Sequence, residues 1–256
     1  MQINPRLRAI AAAALLVSTA SLSVPAPVRA WSATGHMTID AIAEPRLNPN
    51  ARKNVERLIP LVNDPRSPDF ITAGVWMDDI RADGVRLYDR WHYDLLAFSP
   101  DGTPFPQEPH ADHVAWAVAQ NAQTLRSEKA SDAEKARSLR FLMHTLGDAH
   151  NPVHAGTRFT KENPKGDSGA NDFALEENPT TNPNQYKNLH AMWDGALGTF
   201  PRFAREMPRT EKEERVRKIA ATLVAKYPES SFPEIRETDP QKWVEEGGKL
   251  LVSDVY

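Results

Sequence analysis

The segment from Ser131 to Asp148 constrains this chain more than any other. Ser131 followed three residues later by Glu134 is a capping box, in which each side chain satisfies a free backbone donor at a helix start. Leu139, Leu142, Met143 and Leu146 then recur at helical spacing and form one apolar stripe. His144 and Asp148 lie beside that stripe, four residues and about one turn apart on a common face. A helix that buries this stripe carries an imidazole and a carboxylate toward the core, where an unpaired polar group is costly. Whatever the chain folds into must supply them with partners.

The other segments read mostly as helices. Thr210 with Glu213 forms a second capping box ahead of a run toward Lys226, and Asp239 with Pro240 starts a helix through Trp243, Leu250 and Leu251. Shorter helical patterns cover Ala51 to Val62 and His113 to Leu125. Convincing period-two alternation is absent, and the 21 prolines fall largely between the helical runs. The expected fold is all-α, a single helical domain. Phe159 to Gln185, rich in Asn, Pro and Gly, is expected to be a surface or site-lining loop.

Residues 1–30 differ in kind. Arg6 and Arg8 precede an apolar run from Ala9 to Val17, and Val28-Arg29-Ala30 offers small residues where a signal peptidase reads. The run is about half of the roughly 20 residues a membrane span needs. The expectation is therefore a cleaved signal peptide over 1–30, a secreted or periplasmic location, no membrane anchor and a mature domain over 31–256 that starts at Trp31. Formal charge is −3 for the whole chain; without the leader's three arginines, 28 basic residues face 34 acidic ones, a charge of −6. No global basic field draws nucleic acid to such a surface, so a nucleic-acid partner needs a local site. With no cysteine, disulfides, thiolate zinc sites and cysteine nucleophiles are excluded.

The chemistry then rests on His and Asp. Two H-x-x-x-D pairs occur, His144 with Asp148 and His190 with Asp194, and His154 follows ten residues after His144. An isolated pair of this kind is most simply a hydrogen bond on a solvated helix face. Two pairs, one of them beside a core stripe, point instead to metal, and His, Asp and water without sulfur suit zinc in an open hydrolytic site.

HTLGDAHNPVHAG, followed by GANDF and NLHAMWD, resembles the signature of the trinuclear-zinc, single-strand-specific nucleases and 3'-nucleotidases of fungi, plants and bacteria. WSATGH at Trp31, WMDDIR and RWHYDL are similar to further family segments and stand in the same order. The resemblance implies three zinc ions on nine ligands: Trp31, His36, Asp78, His92, His144, Asp148, His154, His190 and Asp194. Trp31 would act through its α-amine and carbonyl. Asp78, His92 and His144 would hold one ion, Trp31 and His36 a second with Asp148 bridging, and His154, His190 and Asp194 the third. Asp79, next to Asp78, leaves a one-residue ambiguity.

The resemblance further implies hydrolysis of single-stranded DNA and RNA to 5'-phosphorylated products, with 3'-nucleotidase activity, by a monomer. Asp78 would also orient the attacking water. Arg81 would take up charge on a phosphate oxygen, unless it is spent on a surface salt bridge with Asp79 or Asp83. Tyr93 and Asn171 would bind substrate. The family's Gly-Gly-Asn reads Gly169-Ala170-Asn171 here, and the added methyl is expected to narrow the pocket or shift the loop. His110, His113 and His150 match no ligand. Two rival readings use the same fold: a zinc-dependent phospholipase C and a non-catalytic zinc-binding protein.

Overall fold

A computed structural model describes residues 31–106, 112–176, 186–204 and 206–256. The expected leader over 1–30, His110 and the far end of the Phe159–Gln185 loop lie outside the described residues. The helices are α1 (Ala33–Ala43), α2 (Pro49–Leu58), α3 (Phe70–Ala73), α4 (Trp76–Ala82), α5 (Val114–Arg126), α6 (Asp132–Ala149), α7 (Pro152–Ala155), α8 (Leu189–Asp194), α9 (Arg209–Lys226) and α10 (Pro240–Leu250). The fold is all-α, as the helical patterning implies, and among the described residues no helix is long and apolar enough to cross a membrane.

Helix α6 is the axis of the molecule. Its capping box forms in full, with Ser131 accepting from the Glu134 backbone N–H and the Glu134 carboxylate accepting from the Ser131 N–H. It packs against α1, α2, α4, α5 and α10, so most of its length is buried. The helix from Asp239 also forms as read, with the Asp239 side chain accepting from the Gln241 N–H and Pro240 in the first turn. The box at Thr210 and Glu213 does not form. Helix α9 begins two residues earlier, with Pro208 in place of Thr210 at its N-cap; the fixed φ of Pro208 sets the entry, and Arg209 ion-pairs with Asp69. Thr210 is thus already inside the helix.

Two short strands, β1 (Leu96–Phe98) and β2 (Gly156–Arg158), pair in parallel with Leu96 opposite Gly156. At three residues each they are too short to show alternation in sequence. Gly156 is required here: a Cβ would lie 2.1 Å from the Leu96 carbonyl oxygen. The pairing fastens two segments side by side, with the Asp94 N–H donating to the His154 carbonyl at 2.7 Å just ahead of the strands. That register sets His92 and His154 into one region.

Arg140, wholly buried in α6, supports the opposite side of this helix. It donates to the Ser67 hydroxyl at 2.6 Å and to the carbonyls of Ser67 (2.8 Å), Ile59 (3.0 Å) and Val62 (3.3 Å). Its cation also lies 5.8 Å from the Trp76 ring centroid. Three carbonyls of the segment from Ile59 to Ser67 thereby accept from a charged side chain, beyond the few backbone hydrogen bonds of its own turns. Arg140→Met keeps the volume but strips those carbonyls of their donor. We expect a loss of about 3 kcal/mol and a Tm lower by about 6–12 °C in thermal denaturation. A drop of no more than about 2 °C would show that water replaces the guanidinium without cost.

Candidate metal centre and substrate cavity

The seven imidazole and carboxylate side chains that α1, α6, α7, α8 and the segment before β1 send to the centre of the molecule all come from the motifs above and are nearly inaccessible. His36, His92, His144, Asp148, His154, His190 and Asp194 are each at most 5% exposed. With the half-buried Asp78 they form three trios, each offering ligand atoms within 4.8 Å of one another: His36, His144 and Asp148; Asp78, His92 and His144; and His154, His190 and Asp194. Asp78 comes from the first turn of α4, where its neighbour Asp79 instead faces Arg66 at 4.0 Å. The geometry thus resolves the one-residue ambiguity in favour of Asp78. Burial pushes the Asp79 carboxyl up to about 6.

Asp148 stands between the first two trios. Its Oδ1 lies 3.5 Å from His36 Nε2, and its Oδ2 lies 3.1 Å from both His92 Nδ1 and His144 Nε2. The rings of His36 and His144 stack at 3.9 Å between centroids. That close approach depends on the glycine of HTLGD, because a Cβ on Gly147 would lie 3.2 Å from His36 Nδ1 and 3.1 Å from Ile39. In the third trio, Asp194 Oδ1 lies 3.5 Å from His154 Nε2 and its Oδ2 3.3 Å from His190 Nε2.

Backbone carbonyls fix three of the rings. His144 Nδ1 is 2.6 Å from the Gly74 carbonyl, His154 Nδ1 2.5 Å from that of His92, and His190 Nδ1 2.6 Å from that of Gly169. A carbonyl only accepts, so each Nδ1 carries the proton and each Nε2 keeps its lone pair for the cluster. Burial, followed by the facing His144 ring, drives the His36 imidazole well below its ordinary pKa, and burial lowers His92 as well. Burial works against the charge on Asp148, but His144 and His154 outweigh it and hold the carboxyl well below its usual range. Burial also opposes protonation of His154, yet Asp148 and Asp194 outweigh it and push its pKa up to about 9, while burial raises Asp194. A divalent cation in the third trio would supply the positive charge that these carboxylates favour.

The donor set fits such cations. His36 Nδ1 and Nε2, Asp148 Oδ1 and His154 Nε2 are buried without a hydrogen-bond partner, which costs about 1–3 kcal/mol per orphaned group unless something coordinates it. Neutral imidazole and carboxylate without sulfur is a zinc-type ligand set. Trp31 reaches the same region, its indole Nε1 donating to the Gly147 carbonyl at 2.9 Å, one residue before Asp148. The indole is therefore an anchor and not a ligand.

A cavity of about 990 Å³ opens beside the third trio, with Arg81, Tyr93, Phe105, Phe159, Lys165 and His190 among its walls. Arg81 is 7% exposed and its Nη1 has no partner. Its Nε pairs with Asp89 at 3.0 Å, not with Asp79 or Asp83, which face Arg66. Tyr93 is half-buried in the wall, with its phenol pKa raised by burial. Asn171 is not among the lining residues, because its amide folds back to donate to the Ser168 carbonyl at 2.8 Å. The Ala170 methyl does not narrow the pocket either; it is buried in a core cluster with Val153, Tyr186, Leu189 and Met192. Of the non-ligand histidines, His113 pairs with Asp94, and His150 bonds the Leu146 carbonyl at 2.8 Å and packs on Trp243.

Sequence reasoning missed the residues that hold the ligands in place. Asn151 is wholly buried and donates to Asp194 Oδ1 at 3.0 Å. Asp40, also buried, accepts from the Gly74 N–H at 3.1 Å, in the turn whose carbonyl meets His144. Asn151 had a visible signal, since it lies within HNPVH between two ligands; Asp40 had none, because its partner is 34 residues away.

Comparison with known proteins agrees with this geometry. Residues 31–256 match the family model described as S1/P1 Nuclease. The chain is 30% identical over 181 residues to Endonuclease 1 of Arabidopsis thaliana, covering 65% of this chain and 53% of that protein. It is 26% identical over 198 residues to Endonuclease 2 of the same plant (72% and 61%), and 21% over 184 residues to Nuclease S1 of Aspergillus oryzae (70% and 58%). The aligned part thus spans between half and two thirds of each relative's length. A match over the whole of 31–256, with the family's histidine and aspartate segments gathered into one buried centre, shows that the chain belongs to the S1/P1 nuclease family.

Proposed function

We propose that the mature protein is a zinc-dependent phosphodiesterase that hydrolyses single-stranded DNA and RNA to 5'-phosphorylated products and also acts on 3'-nucleotides. The observation that carries this reading is the placement of Asp148 between two trios, with a third trio bordering a cavity that presents Arg81. Asp78, His92 and His144 would hold one zinc, His36 and the Trp31 α-amine and carbonyl a second with Asp148 shared, and His154, His190 and Asp194 a third. Bound zinc supplies Lewis acidity, bringing the pKa of water toward neutrality and drawing charge from phosphate. Asp78, less buried than the other acids of the centre, would orient the attacking water. The Arg81 guanidinium, part of the cavity wall, would meet a non-bridging phosphate oxygen, a contact that strengthens as charge develops. Tyr93 offers a ring on which a splayed base stacks, and a stacked duplex cannot reach so recessed a centre. The protein works as a monomer after export, once cleavage near Ala30 has freed Trp31.

Purified 31–256 protein is expected to hydrolyse single-stranded DNA, RNA and 3'-nucleotides, to leave phosphatidylcholine intact and to lose activity to chelators. Arg81→Ala should retain its zinc and lose about 100-fold in kcat. A rate indifferent to chelation overturns the metal reading; turnover of phosphatidylcholine in place of nucleic acid favours the lipase alternative; zinc binding without any turnover favours a binding protein.

A second expectation concerns Trp31. An α-amine of reference pKa about 7.7–8.0 loses its proton readily to a metal, whereas an amide nitrogen is a far poorer ligand. Protein carrying one extra residue before Trp31 should fold, bind one zinc fewer and lose most activity, and trimming that residue should restore both. Equal zinc content and equal rate in the extended form would remove the α-amine from the ligand set.

A further inference from the structure

His190 owes its orientation to an unusual piece of backbone. Ser168, Gly169 and Ala170 are consecutive left-handed residues, with φ of 55°, 62° and 65°. Only Gly169 adopts this without strain, and it is also the one place where a side chain cannot fit, since a Cβ would lie 2.3 Å from the Val153 carbonyl oxygen. Ser168 and Ala170 are held there against their preference. The turn's product is a pair of carbonyls aimed at α8: that of Gly169 accepts from His190 Nδ1 at 2.6 Å, and that of Ala170 accepts from the His190 backbone N–H at 3.2 Å.

What holds the turn is Asp167, 2% exposed and outside every trio. Its Oδ1 accepts from the Ala170 N–H at 3.2 Å and from the Arg158 N–H at 3.1 Å. Its Oδ2 accepts from the Tyr256 hydroxyl at 2.5 Å and lies 3.7 Å from Arg158 Nε. Tyr256 is itself fixed, with the Arg158 guanidinium 4.3 Å from its ring centroid and the rings of Phe98 and Phe173 at 5.6 and 5.8 Å. A buried carboxylate that spends both oxygens on a strained turn, β2 and a clamped phenol does more than fill space.

We infer that Asp167, braced by Tyr256, is a positioning residue for the third metal site: it holds Ser168-Gly169-Ala170 left-handed so that the Gly169 carbonyl fixes the His190 tautomer and ring. The inference rests on reading His154, His190 and Asp194 as a metal site. Asp167 touches neither metal nor substrate and acts through His190. Because Ala170 is one source of the strain that Asp167 offsets, replacing it with glycine makes Asp167 partly dispensable. A residue of merely structural importance would change stability without moving the His190 Nδ1 proton exchange or the zinc affinity.

The test uses zinc-loaded protein with two readouts: the affinity of the most weakly held zinc, by chelator competition, and the exchange rate of the His190 Nδ1 proton, by NMR. Asp167→Ala is expected to weaken that zinc by about 10–100-fold, as loss of an outer partner of a ligand does, and to speed proton exchange. Asp167→Asn, which still accepts both N–H groups and can donate to the Tyr256 oxygen, should stay near the parent. Asp167→Ala with Ala170→Gly should recover much of the loss. Should Asp167→Ala not fold, Tyr256→Phe tests the same brace, with a smaller shift in the same direction on both readouts. Parental affinity and exchange in the folded Asp167→Ala or Tyr256→Phe protein, or no recovery with Ala170→Gly, overturns the inference. A parent that binds fewer than three zincs counts against the metal reading instead, and the proton exchange still decides the role of Asp167.

Discussion

The structure depends on one electrostatic constraint: five imidazoles and two carboxylates are buried together around Asp148 and Asp194 with too few hydrogen-bonding partners to satisfy them. A core of this kind is costly in protein-only form, since each orphaned donor or acceptor forfeits its hydration. The surrounding fold is arranged to hold the lone pairs ready. Three rings surrender Nδ1 to backbone carbonyls from α3's end, the segment before β1 and the left-handed turn, and so present Nε2 inward. Helix α6 supplies His144 and Asp148 one turn apart, and Gly147 between them lets α1 bring His36 into ring contact. Metal binding energy at such a site adds to folding stability, because the unfolded chain has no comparable site. A chain without cysteine leans on this contribution more than a disulfide-stapled one would.

The centre and the cavity divide the work. The trios occupy the buried interior, where charge interactions are strong, while His190 alone of the buried histidines among the described residues reaches the cavity wall. Arg81, Tyr93 and Lys165 supply the wall with charge and an aromatic face, so the proposed recognition of nucleic acid would be local and would need no basic surface. That answers the net acidity of the sequence: a chain of formal charge −3 can act on a polyanion if a few cations are concentrated where the phosphate sits. Arg81 shows how finely the cation is held, with Nε given to Asp89 and Nη1 left over.

Legibility in the sequence followed the range of the interactions. The capping box at Ser131, the Asp239-Pro240 start and the i,i+4 pairs at His144 and His190 are local, and they appear in the fold as read. Helix α1 escaped because its inward face carries Thr34, His36, Thr38 and Asp40, so burial and apolarity, which usually coincide, part company there. The false box at Thr210 had the right spacing, but Pro208 had already set the helix start. The β1–β2 pairing, the Asp40–Gly74 contact and the Asp167 clamp join residues far apart in sequence, and no local pattern announces them. Arg81 lies in the cavity wall, and its partner Asp89 is visible only in three dimensions. The Ala170 methyl, expected to narrow the pocket or shift the loop, is buried in a core cluster that only the tertiary packing reveals.

The central claim is that three cations complete this buried cluster. Diffraction data from crystals of the 31–256 protein, collected on either side of the zinc absorption edge, test it directly. The account predicts three anomalous peaks: one among Asp78, His92 and His144, one beside His36 with Asp148 between the two, and one among His154, His190 and Asp194. Absence of peaks from all three trios in zinc-supplemented crystals, with ordered water or protonated imidazole filling the centre, would contradict it.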